Sequence, residues 1–169
     1  MKGNVYLIGY MGTGKTTVGK ALAKKYPEAV FCDMDTMIEE EQKKKISDIF
    51  TESGEEAFRD METDLLRRLS KETGKIVSCG GGAPLRPENA SLMQSSGTVV
   101  WLTAKPETIY ERIREDISRP LLKDKMTIDH IQSMMSMREP SYRQASTARV
   151  EVDGRLVEEI ASEILTLLN

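Results

Sequence analysis

The sequence predicts an α/β fold in which a parallel β-sheet is covered by helices on both faces. Short apolar runs alternate with helical patterns along the chain, and this alternation is typical of parallel sheets because each crossover helix returns the chain to the same edge. A glycine-rich segment joins the first run to the first helical pattern. With 169 residues, 39% of them hydrophobic, the chain can bury a core of its own. We therefore expect one domain over residues 1–169.

Five runs have the composition of buried strands. They lie at 5–8, 29–32, 75–79, 99–103 and 149–152. Helices are predicted at 15–26, 35–45, 55–71, 88–94, 105–114, 128–138 and 156–168. In the third helix the apolar residues recur at steps of three and four, which places them on one face. Pro106 suits the first turn of the fifth helix, and Pro140 is expected to end the sixth.

Charge and apolar content exclude several classes of protein. The 24 Lys and Arg residues and 27 Asp and Glu residues give a net charge of -3, and no basic block indicates a nucleic-acid or membrane surface. No apolar stretch approaches the roughly 20 residues of a membrane span, and the amino terminus does not resemble a signal peptide. Cys32 and Cys79 have no metal-ligand spacing. We expect a cytoplasmic protein with reduced, buried cysteines and no nucleic-acid or membrane partner.

A phosphate-binding motif follows the first predicted strand. Gly9, Gly14, Lys15 and Thr16 fit the pattern G-x-x-x-x-G-K-[ST] between a strand and a helix. In such a loop, backbone N–H groups curl around phosphate oxygens and the helix amino terminus adds partial positive charge. Lys15 can supply a full charge at the β and γ phosphates, and the Thr16 hydroxyl can bind Mg²⁺. The alternative is a glycine-rich turn with an exposed lysine.

Two further motifs follow the second and third predicted strands. Asp33 and Asp35 are spaced so that both carboxylates can face one site, where one could serve Mg²⁺ and the other a substrate hydroxyl. The alternative is that Asp35 caps the next helix. Three successive glycines at 80–82 are costly to order and indicate a backbone that another group approaches closely. A loose surface loop is the alternative for them.

The remaining candidates are the arginines Arg59, Arg119 and Arg138. A single arginine is usually a solvated charge. Because these three arginines occur together with the other motifs, they suggest contacts to anions. The lone histidine, His130, is expected at the surface, which leaves any general-base work to a carboxylate.

Six segments together resemble the shikimate kinase family, within the nucleoside-monophosphate-kinase-like group of P-loop proteins. They are "GYMGTGKT" at 9–16, "FCDMD" at 31–35, "GEEAFRDME" at 54–62, "GGG" at 80–82, "RPLL" at 119–122 and "REPSYRQA" at 138–145. The resemblance implies ATP-dependent phosphorylation of the 3-hydroxyl of shikimate, on the route to chorismate and the aromatic amino acids. It also implies a five-stranded parallel sheet in the order 2-3-1-4-5 and a mobile lid around residues 114–126. We further expect a monomer.

The same resemblance implies a role for each matching residue. Lys15, Asp35 and Arg119 would be catalytic, with Asp35 at the reacting hydroxyl and Arg119 at the phosphates. Thr16 and Asp33 would serve Mg²⁺, Asp33 through water. The shikimate site would comprise Asp35, Arg59, Gly80, Gly81, Gly82 and Arg138. ATP would meet Gly12, Thr13, Gly14, Lys15, Thr16, Thr17, Arg112, Arg119 and Arg155, although the "VDGR" segment at 152–155 is short compared with the family's adenine loop.

Two alternatives to this function stay open. A related gluconate or nucleotide kinase would share the phosphate loop but should lack the combined "GEEAFR", triple-glycine and "REPSY" segments. A nucleotide-binding module that has lost catalysis would also share the loop.

Overall fold

The computed structural model describes residues 3–115 and 126–168, and these residues build a five-stranded parallel β-sheet. The strands are β1 (Asn4–Ile8), β2 (Val30–Asp33), β3 (Lys75–Ser78), β4 (Gly97–Thr103) and β5 (Ala148–Glu151). Their order in the sheet is β2-β3-β1-β4-β5, and every paired strand runs parallel. The predicted fold class and strand order are confirmed.

Helices flank the sheet in two packed groups. In the described residues they are α1 (Lys15–Lys25), α2 (Met34–Gln42), α3 (Ile46–Leu69), α4 (Pro87–Ser96), α5 (Pro106–Arg114), α6 (Ile128–Ala145) and α7 (Val157–Leu167), with a short 3-10 turn at Ala83–Leu85. Helix α1 packs against α7, whereas α3, α4 and α6 pack in series and α5 packs on α6. Within the described part of the chain, no helix is both long enough and apolar enough to cross a membrane.

Helix α3 begins at Ile46 and not at residue 55 as predicted. Its two halves meet at Gly54, whose φ of 84° and ψ of 170° interrupt the helical backbone. The first half was missed because Gly54, a residue type that usually ends helices, separates it from the apolar pattern of the second half.

The prediction that Pro140 ends the sixth helix was wrong, because α6 continues through it to Ala145. Proline removes one backbone donor and crowds the preceding turn. Pro140 is exposed, but Tyr142 and Ala145 beyond it are buried in the core. Burial of the last turn therefore outweighs the cost of the proline.

The core is centred on β1, whose five residues are fully buried.

Both cysteines are free, as predicted, and Cys79 is buried, whereas Cys32 on the edge strand β2 is only half-buried. Asn4 is the polar member of β1, and its side chain bonds backbone groups of Leu69, Glu72 and Lys75. These bonds satisfy a buried amide and tie the end of α3 to the sheet.

The carboxyl ends of β1, β2 and β3 lie side by side at one edge of the sheet. This edge is where open parallel sheets bind ligands. It carries the phosphate loop, Asp33 and Ser78. Residues 116–125, which include Arg119 and most of the expected lid at 114–126, lie outside the described residues.

Candidate active site

The phosphate loop at 9–14 closes around the Lys15 side chain. Gly12 and Gly14 have φ angles of 78° and 89°, a region that side chains disfavour, and Gly14 caps the start of α1. The Lys15 ammonium donates to the carbonyl oxygens of Gly9, at 2.8 Å, and Tyr10, at 3.1 Å. Thr13 is buried and its hydroxyl donates to the Tyr10 carbonyl. The loop thus holds a cation at the amino terminus of a helix.

Three side-chain oxygens meet beside this loop. The Thr16 hydroxyl donates to Asp33 Oδ2 at 2.7 Å and lies 3.1 Å from the Ser78 hydroxyl. The other carboxylate oxygen of Asp33 accepts a bond from the Thr36 backbone N–H at 3.1 Å. Asp33 is therefore the cap of α2, and the alternative that Asp35 caps it was wrong. Sequence reasoning missed Ser78, because only the parallel pairing of β2 with β3 brings it opposite Asp33.

The glycine loop at 80–82 leaves room for the side chains around it. A Cβ atom on Gly80 would lie 2.5 Å from Glu62 Oε1 and 3.2 Å from Asp35 Oδ1. A Cβ on Gly82 would overlap the Arg59 guanidinium, and one on Gly81 would lie 3.5 Å from Arg138 Nη1. The groups that approach this backbone are the protein's own carboxylates and guanidiniums.

Arg59 is fixed by a buried carboxylate that the sequence reasoning did not single out. Its Nη1 donates to Glu62 Oε2 at 2.7 Å, and its Nη2 meets Glu55 Oε1 at 3.3 Å. Burial lowers the pKa of Arg59, but Glu62 and Glu55 outweigh it, so that the net pKa is raised and the cation is stabilised. The i, i+3 spacing of Arg59 and Glu62 on α3 was the signal available in the sequence.

Glu62 itself is in an unusual environment. It is fully buried, and its Oε1 atom has no hydrogen-bond partner among the described residues. Burial raises the pKa of Glu62, the Arg59 guanidinium opposes this rise, and the Asp35 carboxylate adds to it. An acceptor oxygen is thus aimed at the Gly80 backbone next to Asp35.

The other predicted arginines fall in different places. Arg138 is half-buried and lies over the Tyr10 ring, 5.5 Å from its centroid, on the side of the glycine loop. Arg112 donates to the Gly12 carbonyl at 2.9 Å, so it lies against the phosphate loop. Arg155 donates to the Glu151 carbonyl and pairs with Glu163 of α7 at 2.6 Å. Thr17 is exposed on α1, as is His130 on α6.

The site therefore has two neighbouring compartments, since a Cβ atom on Gly81 would lie 3.7 Å from the Gly9 carbonyl oxygen of the phosphate loop. One contains the phosphate loop, Lys15 and the Thr16–Asp33 pair. The other is the glycine loop with Asp35, Arg59 and Arg138 around it. Such an arrangement can hold a polyphosphate in the first compartment and an anionic hydroxy compound in the second.

Comparison with known proteins gives consistent results over the whole chain. The family model for shikimate kinase matches residues 11–169. A shikimate kinase of Geobacter metallireducens is 43% identical over 161 residues, which cover 95% of this chain and 89% of that protein. The solved structure of the Acinetobacter baumannii shikimate kinase in complex with shikimate superposes with a TM-score of 0.90 and 33% identity, covering 98% of this chain and 92% of that one.

A gluconokinase of Sinorhizobium meliloti shares the fold at lower similarity. Its structure has a TM-score of 0.63 and 20% identity, covering 99% of this chain and 91% of that one. At that identity the likeness shows the fold alone. The matches over nearly the full length of the chain show that the chain belongs to the shikimate kinase family.

Proposed function

We propose that the chain transfers the γ-phosphoryl group of ATP to the 3-hydroxyl of shikimate, giving shikimate 3-phosphate and ADP. The observation that carries this proposal is the meeting of Asp35, Arg59 and Arg138 at the glycine loop, next to the phosphate loop. Family membership supports the same reaction, which lies on the route to chorismate and the aromatic amino acids. The residue roles that follow are parts of this proposal.

On the ATP side, the loop 9–14 and the start of α1 would surround the β and γ phosphates. Lys15 now donates to two loop carbonyls, and we propose that it exchanges at least one of them for phosphate oxygens. Gly12, Thr13, Gly14 and Thr17 belong to the same turn and first helical residues. Arg112 would flank the nucleotide from α5, and its bond to Gly12 supports that position.

Two roles of the ATP site rest on the family resemblance alone. Arg119 would meet the phosphates, and it belongs to the proposed lid at 114–126. Arg155 would contact the adenine. To do so, it would have to break its ion pair with Glu163.

The oxygens of Thr16 and Asp33 fit a magnesium site. Mg²⁺ prefers hard oxygen ligands and is usually held by one or two protein groups together with water and phosphate. A hydroxyl and a carboxylate 2.7 Å apart at the edge of the phosphate loop meet that requirement. When bound, Mg²⁺ would neutralise charge on the β and γ phosphates.

On the acceptor side, Arg59 and Arg138 would hold the carboxylate of shikimate. A planar guanidinium can donate two parallel hydrogen bonds to a carboxylate, so two arginines suit an anionic acid. Asp35 would accept a hydrogen bond from the reacting hydroxyl. A carboxylate is a weak base toward an alcohol, so Asp35 would orient the hydroxyl more than deprotonate it early.

Phosphoryl transfer depends mainly on the positioning of the substrates and on positive charge near the phosphates. Phosphoryl transfer through a loose transition state gives the protein little covalent work. Alignment of the hydroxyl with the γ-phosphorus and positive charge from Lys15 and Arg119 would supply most of the acceleration. One domain over residues 1–169, acting as a cytoplasmic monomer, would suffice for this reaction.

An ADP-release assay with three acceptors tests the proposal against its alternatives. We expect turnover with shikimate and little above background with gluconate or a nucleoside monophosphate. Preference for gluconate or the nucleotide would identify a different kinase. ATP binding without ADP release for any acceptor would identify a non-catalytic module.

A further inference from the structure

Tyr142 links helix α6 to the glycine loop. Its hydroxyl donates to the Gly81 carbonyl oxygen at 2.7 Å. It stands four residues after Arg138, so both side chains lie on the same face of α6. The phenol thus bonds the Gly81 carbonyl, and a Cβ atom on Gly81 would lie 3.5 Å from the Arg138 guanidinium, so both side chains face the same glycine.

The Tyr142 ring is itself fixed by the core. Only 2% of the residue is exposed. Its ring lies 5.9 Å from that of Trp101 on β4 at an interplanar angle of 43°, within the range of favourable aromatic pairs. The hydroxyl thus approaches Gly81 from a side chain with little freedom to move.

Arg138 also contacts the ring of Tyr10. Its guanidinium lies over the Tyr10 ring, and Tyr10 belongs to the phosphate loop, where its carbonyl accepts a bond from Lys15. Burial raises the pKa of Tyr142, while the Arg138 charge acts in the opposite direction. The phenol therefore stays protonated at neutral pH and remains a donor to the Gly81 carbonyl.

We propose that Tyr142 is a positioning residue for the acceptor. Its hydroxyl holds the Gly81 backbone and the Arg138 guanidinium in the relative position that a carboxylate needs. This inference rests on the proposed function, in which Arg138 binds the shikimate carboxylate. Tyr142 acts through these two groups and needs no contact with the substrate.

The variant Tyr142→Phe tests the role, because it removes only the hydroxyl and keeps the ring packed against Trp101. Loss of one partly buried hydrogen bond should raise KM and the calorimetric Kd for shikimate by about 3- to 30-fold. We expect kcat at saturating shikimate, and KM for ATP, to change by less than about twofold, because the bond is made equally in the ground and transition states.

Tyr6→Phe is the matched control. Tyr6 is also a fully buried tyrosine, and its hydroxyl bonds Ser96 and Asn4 near the opposite, amino-terminal edge of the sheet. Both variants should lower Tm, but Tyr6→Phe should leave the Kd for shikimate unchanged. If Tyr142→Phe lowers Tm and leaves the Kd for shikimate as it is, Tyr142 is only structural and the inference is wrong. An equal loss of affinity for ATP and shikimate would also overturn it.

Arg138→Lys separates failure of this inference from failure of the proposed function. If that variant binds shikimate as well as the wild type does, Arg138 is not an acceptor residue and the proposed site itself is wrong. If Arg138→Lys weakens shikimate and Tyr142→Phe does not, only the positioning role fails. When both roles hold, the double variant should lose less affinity than the product of the two single effects, because the two residues act on one contact.

Discussion

At the scale of single residues, the charged groups of the site are held by neighbours before a ligand binds. Arg59 is bonded by Glu62, Arg138 lies on the Tyr10 ring, and Asp33 accepts bonds from Thr16 and Thr36. Fixing these side chains in advance reduces the entropy lost when substrates bind. Asp33 lies beside the phosphate loop, whereas Arg59 and Arg138 lie beside the glycine loop. We therefore expect a substitution in one compartment to affect mainly the ligand of that compartment.

The two aspartates provide the first test of this division. Asp33→Asn should raise the Mg²⁺ concentration needed for half-maximal rate, because an amide is a poorer ligand than a carboxylate for a hard cation. Asp35→Asn should leave that concentration unchanged and lower turnover by about 10²- to 10⁴-fold, with ATP still bound. The measurement is a Mg²⁺ titration of the rate at saturating ATP and shikimate.

The opposite pattern would show that the two roles are exchanged. If Asp35→Asn shifts the Mg²⁺ midpoint while Asp33→Asn lowers only turnover, Asp35 serves the metal. If neither substitution changes the rate, the kinase mechanism proposed for this site is wrong.

Glu62 gives a prediction about stability and pH. Because burial raises its pKa, the folded protein holds the Glu62 proton more tightly than the unfolded chain does. Its contribution to the free energy of unfolding is complete below the ordinary glutamate value of 4.5 and is lost as the pH rises through the higher folded-state pKa. The free energy of unfolding of the wild type, relative to Glu62→Gln, should therefore fall as the pH rises above that value.

Urea unfolding of both proteins from about pH 4 to about pH 8 measures this difference. Glu158→Gln is the control, since the Glu158 side chain is 65% exposed and its pairing with Lys25 is a surface contact. We expect its difference from the wild type to stay nearly constant over the same range. A difference for Glu62→Gln that stays constant or grows with pH would contradict the account.

At the scale of elements, Pro140 allows a test of what holds α6 together. The helix continues to Ala145 despite the proline, because the residues beyond it are buried. Pro140→Ala restores a backbone donor inside the helix, worth up to about 3 kcal/mol, but gives the unfolded chain more freedom, which costs about 1 kcal/mol. We expect the free energy of unfolding to rise by about 1–2 kcal/mol in urea titrations.

Pro87→Ala is the comparison for this variant. Pro87 occupies the first turn of α4, where a helix has no use for the missing donor and the fixed φ is favourable. This substitution should leave stability unchanged or lower it slightly. Stabilisation by Pro87→Ala equal to that by Pro140→Ala would show that the helix interior is not the cause.

The sequence predicted the elements better than their ends. All five strands were found to within two residues because each contains a short apolar or alternating run. The first half of α3 and the last turns of α6 were missed, since Gly54 and Pro140 are residues that usually end helices. Only tertiary packing shows that these two do not.

In the site, Lys15, Thr16 and the two aspartates follow from local motifs. Ser78 and Tyr142 could not be identified that way, because their relevance depends on contacts made only in the folded chain. For Glu62, the i, i+3 spacing from Arg59 was the only local signal.

At the scale of the whole molecule, the strand order assembles the site from distant segments. The central strand β1 supplies the phosphate loop, β2 supplies Asp33, and β3 leads into the glycine loop. Helix α6 then brings Arg138 and Tyr142 to Gly81, and Tyr142 is 61 residues away from Gly81 in the sequence. Because strands and helices are stiffer than loops, this arrangement sets the distance between the two compartments.

A crystal structure of the protein with shikimate, Mg²⁺ and a non-hydrolysable ATP analogue would test the proposed arrangement of the two substrates. We expect the shikimate carboxylate between Arg59 and Arg138, and its 3-hydroxyl within about 2.6–3.2 Å of an Asp35 oxygen, facing the γ-phosphate. Mg²⁺ should lie next to Thr16 and Asp33. A shikimate carboxylate bound to other cations, or a 3-hydroxyl turned away from Asp35 and the γ-phosphate, would contradict the account.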